Sequence, residues 1–409
     1  MNLDRLQTTA GLDLAGKRVL LRADLNVPIV AGAVGDATRL ERLLPGLEDL
    51  ARRGARVIVV AHFGRPKHGA DPQLSLKPVA AKLGAMLGKP VAFASDCVGA
   101  PAEAVVANLA PGQIAVLENV RFHAGETAND VAFAKRLAAL ADIYVNDAFS
   151  AAHRAHASTE AVAHLLPSYA GPLMMQEIEA LVGVLDTPRR PVAAVVGGAK
   201  VSTKIPILTN LLAKVDKLVI AGGMANTFLL AQGVGIGKSL AEPDLAATAR
   251  EILTAADRAH CEIVLPTDAV VARALEAHAA SHVVPIDAVP ADAMILDLGP
   301  RSVELLISVL ARAKTLLWNG PVGAFEIEPF DTATIAVAEA AAELTAVGKL
   351  LSIAGGGDTV AALNRAGVTS RFSYVSTAGG AFLEWLEGRA LPGVEICKPS
   401  SASGRTQRA

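Results

Sequence analysis

Short apolar runs alternate with segments of helical periodicity along most of the 409-residue chain. Strands alternating with helices predict βαβ units and a parallel sheet. Runs that are apolar throughout are typical of strands buried on both faces. In the first half the predicted strands are Arg18–Leu21, Arg56–Ala61, Val91–Ala94, Ala115–Leu117 and Ile143–Val145, and the predicted helices are Thr38–Arg53, Leu76–Leu87 and Asp130–Leu140.

The second half repeats this plan with different loops. A helix over Met174–Leu185, closed by Thr187 and Pro188, is the predicted connector between the halves. The fold class that follows is α/β, with two doubly wound, parallel-sheet (Rossmann-like) lobes joined by a hinge helix. The predicted strands of the second lobe are Pro191–Val196, Lys217–Ala221, Glu262–Leu265, Thr315–Trp318, Lys349–Ile353 and Phe372–Val375.

Composition argues against several classes of protein. The formal net charge is −2 and aromatic residues make up 4%, which disfavours a nucleic-acid partner or an anionic membrane. The three cysteines lie far apart without paired metal-binding spacing, and the N-terminus lacks an apolar signal segment. The uncharged window 218–237 contains five glycines and predicts a strand–turn–helix junction, not a membrane span. These features predict a cytoplasmic protein with reduced thiols.

Polar side chains in the first half follow the predicted strands, where ligands bind in parallel sheets. Any one arginine among them is most simply a surface residue or one half of an ion pair. Their grouping at one sheet edge instead favours a small polyanion gripped by guanidinium groups. His153 and His156 have the spacing of a metal-binding pair, but no third ligand accompanies them. The grouped residues are Arg22, Asp24, Asn26, Arg39, His62, Arg65, Arg121 and Arg154.

The sequence Gly197-Gly198-Ala199-Lys200, with Lys204 four residues on, follows the first apolar run of the second half. It predicts a strand, a glycine turn and a helix that carries two lysines one turn apart. Glycine permits close approach of an anion, and a helix start with a lysine attracts phosphate. The alternative is a tight βα turn with a solvated lysine. A Walker A pattern is absent.

Other glycine turns end the later strands. Residues 355–357 open a predicted helix, in which Asp358 is either the N-cap or a carboxylate ligand of phosphate-bound Mg²⁺. The loop 319–323 and the stretch 376–381 follow two more strands, although the first also fits an ordinary turn. Glu326 would accept hydrogen bonds from a ribose or be a plain surface acid. Several such turns on one sheet edge predict a nucleotide site.

Taken together, eight motifs resemble the phosphoglycerate kinase family, in the family's order and over about residues 4–397. The strongest is VLLRADLNVP at 19–28. The others are HFGRP at 62–66, ENVRFH at 118–123, AHRAH at 152–156, GGAKV at 197–201, WNGPVG at 318–323, GGGDT at 355–359 and STAGGA at 376–381, the last a variant of STGGGA.

The resemblance implies a substrate lobe at 1–170, a connecting helix at 171–187, a nucleotide lobe at 188–380 and a segment at 381–409 that returns to the first lobe. It implies that 3-phosphoglycerate binds to Asp24, Asn26, Arg39, His62, Arg65, Arg121 and Arg154. It implies that ADP or ATP binds to Lys200, Lys204, Asn319, Glu326, Gly355, Gly356, Gly357, Asp358 and Thr359, with Mg²⁺ on Asp358. Arg39, Lys200, Gly357 and Gly380 would act on the transferring group.

The implied reaction is reversible transfer of the acyl phosphate of 1,3-bisphosphoglycerate to MgADP, giving 3-phosphoglycerate and ATP. A monomer is also implied, and we predict that the connecting helix Met174–Leu185 and the segment near 376–382 carry the hinge of lobe closure. Two residues depart from the family pattern: Thr203 stands where Asp is common, and Ala378 replaces a glycine. The alternatives are a degenerate homologue or a bilobal binding protein without turnover. A dehydrogenase is disfavoured because GxGxxG does not follow the first strand.

Overall fold

The computed structural model describes residues 3–67 and 69–399. Residues 400–409, the end of the predicted returning segment, lie outside the described residues. The contacts divide the chain into two compact units. The first contains the described residues up to Glu179 and those from Ala390 onward, and the second is Ala180–Arg389. No helix in the described part of the chain combines the length and apolar character needed to cross a membrane.

The first unit is built on a six-stranded parallel sheet in the order β5-β6-β4-β1-β7-β8, with β2 and β3 paired as a separate small hairpin. Its α/β plan confirms the class predicted from sequence. Its strands are β1 (Arg18–Arg22), β2 (Ile29–Val30), β3 (Ala33–Val34), β4 (Arg56–Val60), β5 (Val91–Ala94), β6 (Ile114–Leu117), β7 (Ile143–Asn146) and β8 (Ser168–Ala170).

Both faces of this sheet are buried. Successive side chains of a strand point to opposite faces. On β1, Val19 and Leu21 enter one apolar cluster and Leu20 enters another, and on β4 Val57 and Ile58 divide in the same way. The helices that accompany the sheet are α1 (Thr38–Arg52), α2 (Lys77–Leu87), α3 (Ala100–Ala107), α4 (Ala124–Thr127), α5 (Val131–Ala138) and α6 (Pro172–Leu185).

The second unit holds a parallel sheet in the order β11-β10-β9-β15-β16-β17. Its strands are β9 (Val192–Val196), β10 (Lys217–Ile220), β11 (Glu262–Val264), β12 (Asp268–Ala272), β13 (Ser281–Pro285), β14 (Met294–Leu298), β15 (Thr315–Asn319), β16 (Leu351–Gly355) and β17 (Tyr374–Ser376). Its helices are α7 (Ile205–Leu212), α8 (Gly223–Ala231), α9 (Ala246–Ala259), α10 (Pro300–Arg312), α11 (Thr332–Ala346), α12 (Gly357–Arg365) and α13 (Gly380–Leu386).

A three-stranded antiparallel sheet, β13-β12-β14, was not predicted from the sequence. Its middle strand is buried, whereas β13 is exposed at four of its five residues. An exposed edge strand lacks the continuous apolar run by which the other strands were recognised. The prediction of β16 was also shifted, since the strand runs two residues beyond Ile353.

Helix α6 has residues in both units, because the division falls between Glu179 and Ala180. Its first turn is held by Asp147, whose Oδ1 accepts the N–H groups of Leu173 (2.7 Å) and Met174 (3.1 Å). This is the side-chain capping that a helix N-terminus requires.

The C-terminal residues from Ala390 belong to the first unit. They include the short helix α14 (Pro392–Glu395). The amide of Asn146 donates to the carbonyl of Gly393 (2.9 Å), and the N–H of Gln7 donates to the carbonyl of Cys397 (2.8 Å).

Candidate functional site

The predicted substrate residues of the first unit lie at the carboxyl ends of four neighbouring strands. Strands β6, β4, β1 and β7 are adjacent in the sheet. Asp24 and Asn26 follow β1, His62 and Arg65 follow β4, Arg121 follows β6, Arg154 follows β7, and Arg39 lies in the first turn of α1. The parallel arrangement of the strands therefore places the polar loops at one edge.

Asp24 and Arg39 are in direct contact. Nη1 of Arg39 lies 3.1 Å from Oδ2 of Asp24 and donates to the carbonyl of Asn26 (2.8 Å). The hydroxyl of Ser150 donates to the same carboxylate oxygen of Asp24 (2.6 Å). Ser150, which the sequence analysis did not single out, thus joins the loop after β7 to the loop after β1.

The loop after β4 is tied to its neighbours through Gly64. Its N–H donates to Oδ1 of Asn26 (3.0 Å), and its carbonyl accepts from Nη1 of Arg121 (2.5 Å). Gly64 has a φ of +57°, which glycine adopts without strain. These bonds fix Asn26 and Arg121 on either side of the loop that carries Arg65.

Positive groups crowd this edge. Burial, followed by the charges of Arg154 and Arg22, lowers the pKa of Arg121 to about 10. Burial, followed by Arg121 and Arg154, lowers the pKa of His156 to about 4. Neighbouring positive charges repel one another, and a bound anion relieves this repulsion. Such a cluster therefore favours anion binding. The structure thus brings Arg22, Arg65, Arg121 and Arg154 into one electropositive cluster.

In the second unit, β9 is followed by a glycine that contacts the end of the neighbouring strand β15. The N–H of Gly197 donates to the carbonyl of Asn319 (2.9 Å). A Cβ on Gly197 would lie 1.9 Å from the carbonyl oxygen of Pro321, so no larger residue fits there. Gly197 is thus required for backbone packing, independently of any ligand.

The prediction of a helix carrying both lysines was wrong. Lys200 is in an extended conformation, the 3₁₀ turn Val201–Thr203 follows it, and Lys204 precedes the first residue of α7. Pro206 suits a helix start because its ring fixes φ, which favours initiation there rather than at the glycines. Lys200 is exposed and Lys204 is half-buried.

Lys204 is linked to Asn319 and Thr359 in one hydrogen-bond network. Its ammonium group donates to Oδ1 of Asn319, whose amide donates to the carbonyl of Gly355 (2.7 Å). The hydroxyl of Thr359 donates to that same carbonyl (2.8 Å) and accepts from Gly320 (2.7 Å). Burial lowers the pKa of Lys204, while Asp358 opposes the shift.

Two cavities meet at this point. One, of about 330 Å³, is lined by Lys200, Lys204, Asn319, Gly356, Gly357, Asp358 and Thr359, among others. The other, of about 300 Å³, is lined by apolar residues of β14 and by Glu326, and shares Gly198, Ala199 and Asp358 with the first. A polar, lysine-bearing cavity beside a more apolar one suits a molecule with an anionic end and an apolar body.

Asp358 does not cap its helix, so the N-cap alternative is excluded. The N-cap of α12 is Gly356, with a φ of +99°, and Asp358 stands in the first turn beside both cavities. Mg²⁺ is usually held by one or two carboxylates together with substrate phosphates. Asp358 lines the polar cavity together with Lys200 and Lys204, and this combination of a carboxylate with phosphate-binding cations fits that mode of binding.

Gly355 and Gly380 are placed differently from the other predicted residues. Gly355 packs against the ring of Phe382 and offers its carbonyl to Asn319 and Thr359. Gly380 begins α13 and lines neither cavity.

The comparisons with known proteins agree on one family. The family model described as phosphoglycerate kinase matches residues 9–389. The chain belongs to the phosphoglycerate kinase family. It is 63% identical to the phosphoglycerate kinase of Methylorubrum extorquens (strain PA1) over 94% of this chain and 96% of that one. It is 60% identical to that of Bradyrhizobium diazoefficiens, over 97% and 99%.

Solved structures of phosphoglycerate kinases are also similar. That from Coxiella burnetii has a TM-score of 0.89 and 44% identity, covering 96% of this chain and 98% of its own. That from Pyrococcus horikoshii has a TM-score of 0.79 and 30% identity, covering 96% and 99%. They confirm the predicted two-lobed α/β class.

The two departures from the phosphoglycerate kinase pattern have defined surroundings. The hydroxyl of Thr203 donates to the carbonyl of Lys200 (2.9 Å), which steadies the turn between the two lysines. Ala378 does not have a positive φ, so alanine is tolerated without backbone strain. Its N–H donates to the hydroxyl of Ser376 (3.2 Å) and is thus already engaged within the chain.

Proposed function

We propose that this chain catalyses the reversible transfer of a phosphoryl group between the acyl phosphate of 1,3-bisphosphoglycerate and MgADP, giving 3-phosphoglycerate and ATP. The observation that carries the proposal is the division of chemistry between the units. The sheet edge of the first unit carries clustered arginines. The sheet edge of the second unit carries a glycine-lined cavity with two lysines and a carboxylate. Membership of the phosphoglycerate kinase family indicates which phosphoryl transfer this is. No observation favours the alternative of a protein that binds both ligands without turnover.

The first unit would bind the triose acid. Its phosphate and carboxylate groups are two anions that guanidinium forks bind in a bidentate manner. Arg65, Arg121 and Arg154 would supply charge, and His62 and Asn26 would supply hydrogen bonds. Asp24 would hold Arg39 in place, since the two residues are already paired.

The second unit would bind the nucleotide. Lys200 and Lys204 would meet the phosphates in the polar cavity, and Glu326 would face the nucleoside in the adjoining one. Asp358 would hold the Mg²⁺ that accompanies the phosphates. When bound, the ion supplies charge neutralisation for the phosphoryl oxygens.

The transfer needs no general base. The acceptor in the direction of ATP consumption is a carboxylate, whose pKa of about 3.5 leaves it ionised at neutral pH. The remaining work is positioning and stabilisation of charge on an in-line transferring group. We assign this work to Lys200 and Arg39, with backbone N–H groups near Gly357 and Gly380.

Direct transfer requires the two loaded units to close, which would exclude water and protect both phosphoryl compounds from hydrolysis. A cytoplasmic monomer, expected from the sequence and the family resemblance, remains part of the proposal. Size-exclusion chromatography with light scattering would measure the oligomeric state.

The test is a coupled assay. Protein, 3-phosphoglycerate and MgATP are mixed with glyceraldehyde-3-phosphate dehydrogenase and NADH, and loss of NADH is followed. We expect turnover in the parent and a loss of about 10²-fold or more in Lys200→Ala and in Arg39→Ala, the size found when one charge-stabilising donor is removed. Lys217→Met, which removes an ion pair with Glu262 outside both cavities, is the control. Absence of turnover in the parent, with both ligands bound by calorimetry, would overturn the proposal.

A further inference from the structure

Arg22, the last residue of β1, belongs to the cluster of arginines and is only 1% exposed. Its Nε donates to the hydroxyl of Ser158 (2.9 Å), and its Nη1 donates to the carbonyl of Ala23 (2.7 Å). Its Nη2 lies 2.9 Å from Nδ1 of His62. A buried guanidinium group is thus bonded directly to a residue of the proposed substrate site.

The contact between Arg22 and His62 determines which nitrogen of the imidazole ring carries the proton. A guanidinium group has N–H donors and no acceptor, and it stays protonated in proteins. The nitrogen that faces it must therefore accept, which requires an unprotonated Nδ1. The single proton of neutral His62 then resides on Nε2, which is available as a donor.

A buried relay holds Arg22 in this position. The carboxylate of Glu126, 0% exposed, accepts from the hydroxyl of Ser158 (2.7 Å) and from its N–H (2.9 Å). The hydroxyl has one proton, so it accepts from Arg22 through its oxygen. Glu126 supplies the negative charge that a buried arginine requires, and Tyr144 fixes the same loop by donating to the carbonyl of Ser158 (2.9 Å).

The surroundings of His62 oppose its protonation. Burial lowers the pKa of His62 far below its ordinary range, and the charges of Arg22, Arg121 and Arg154 and the nearby His156 act in the same direction. A second proton would have to reside on Nδ1, against the guanidinium group. His62 therefore faces the site as a neutral ring with a defined donor.

We propose that Arg22 is a positioning residue that fixes His62 as the neutral Nε2–H tautomer, so that the ring donates one hydrogen bond to an anionic oxygen of the bound acid. This inference deepens the proposed function and rests on it. The arginines supply the positive charge of the site, and the single N–H donor of His62 orients the bound acid. Binding of the acid should accordingly show no dependence on protonation of His62 between pH 5 and pH 8.

The tautomer is measured on the full-length, ligand-free protein labelled with ¹⁵N-histidine. Long-range ¹H–¹⁵N spectra separate protonated from unprotonated ring nitrogens, and the spectrum of His62→Gln assigns the signals. We expect an unprotonated Nδ1, a protonated Nε2 and no titration of this ring between pH 5 and pH 8. A proton on Nδ1, or a titration midpoint within that range, would overturn the proposal.

Two variants test the role of Arg22. Arg22→Lys keeps a group that can only donate and should retain the tautomer, whereas Arg22→Met should yield a mixture and weaken binding of 3-phosphoglycerate about tenfold, the value of one hydrogen bond. An unchanged tautomer in Arg22→Met would overturn the proposal. If this variant does not fold, the double variant Arg22→Met/Glu126→Gln is measured in its place, because it removes both buried charges together. A parent that shows the tautomer but does not bind 3-phosphoglycerate would refute the proposed function alone.

Discussion

Arg39 and Asp24 form an ion pair, with Nη1 3.1 Å from one carboxylate oxygen and 3.2 Å from the other. Both side chains are partly buried, and the hydroxyl of Ser150 donates to the same carboxylate (2.6 Å). The guanidinium group proposed to meet the transferring phosphoryl group is thus already oriented by a carboxylate. Preorganisation of this kind is the main source of electrostatic catalysis.

Asp24→Asn should therefore lower kcat/KM for 3-phosphoglycerate, although it removes a negative charge from an anion site. The loss of a charge-assisted bond frees Arg39 to adopt other rotamers, and a decrease of about 10- to 100-fold corresponds to the value of such a bond. The coupled assay measures the change. Asp49→Asn, which loosens ion pairs with Arg52 and Arg53 at the far end of the same helix, is the control and should stay within about twofold of the parent. Increased activity in Asp24→Asn would contradict this account of Arg39.

The adjacent glycines Gly356 and Gly357 should respond differently to substitution by alanine. At Gly356, φ is +99° and a Cβ would lie 2.6 Å from the amide nitrogen of Asn319, so Gly356→Ala should lower both thermal stability and ATP affinity. Gly357 has ordinary φ and open space around its Cβ position. Gly357→Ala should keep the parent's unfolding temperature and lose only nucleotide affinity or turnover, because the methyl group enters the cavity. Calorimetry of unfolding and of ATP binding separates the outcomes. Full activity in Gly357→Ala would remove this residue from the site.

Removal of Mg²⁺ should abolish turnover, since the phosphate charge would then face Asp358 without a cation between them. Asp358→Asn should raise the Mg²⁺ concentration required for half-maximal rate by about tenfold or more, because a neutral amide is a weaker ligand for a hard cation. Titration of MgCl₂ at fixed ATP in the coupled assay measures this. Asp244→Asn, in the turn that precedes α9, is the control and should follow the parent curve. An unchanged Mg²⁺ requirement in Asp358→Asn would place the ion elsewhere.

Asp147 should make the first unit less stable as pH rises. Burial raises the pKa of Asp147 to about 7, although the N–H groups of Met174 and Leu173 oppose the shift. The unfolded carboxyl has a pKa of about 3.9. Between these values the folded state binds the extra proton, so the free energy of unfolding falls by up to about 1.4 kcal/mol per pH unit as pH rises from about 4 to about 7. The decrease is complete above pH 7.

Asp147→Asn should flatten this pH dependence while keeping an acceptor for the first turn of α6. Scanning calorimetry between pH 4.5 and pH 8 is suitable, because Trp318 and Trp385 both lie in the second unit and their fluorescence does not follow the first. Asp142→Asn is the control: bonding to Arg18 lowers the pKa of Asp142, so its effect on the pH dependence lies below about pH 4 and the variant should keep the parent's slope in this range. A slope in Asp147→Asn equal to the parent's would show that this carboxyl is ionised throughout.

The sequence was sufficient for most strands of the two parallel sheets because their signal is local and strong. Runs such as Val19–Leu21 and Val57–Val60 are apolar on both faces, and parallel strands buried on both sides require that. Their order in the sheet was not predicted, since pairing depends on contacts between distant segments. The antiparallel strand Ser281–Pro285 was missed because most of it faces solvent.

Within the site, sequence alone determined which residue types would gather at the strand ends, because parallel topology places all carboxyl ends on one side. The sequence could not determine how they are held. One buried relay orients His62: Glu126 bonds to Ser158, Ser158 to Arg22, and Arg22 to His62. Each of these pairs is separated by more than thirty residues in the sequence. Their hydrogen bonds exist only when the fold removes water from all of them, and so only the tertiary structure decided the protonation state that this ring presents.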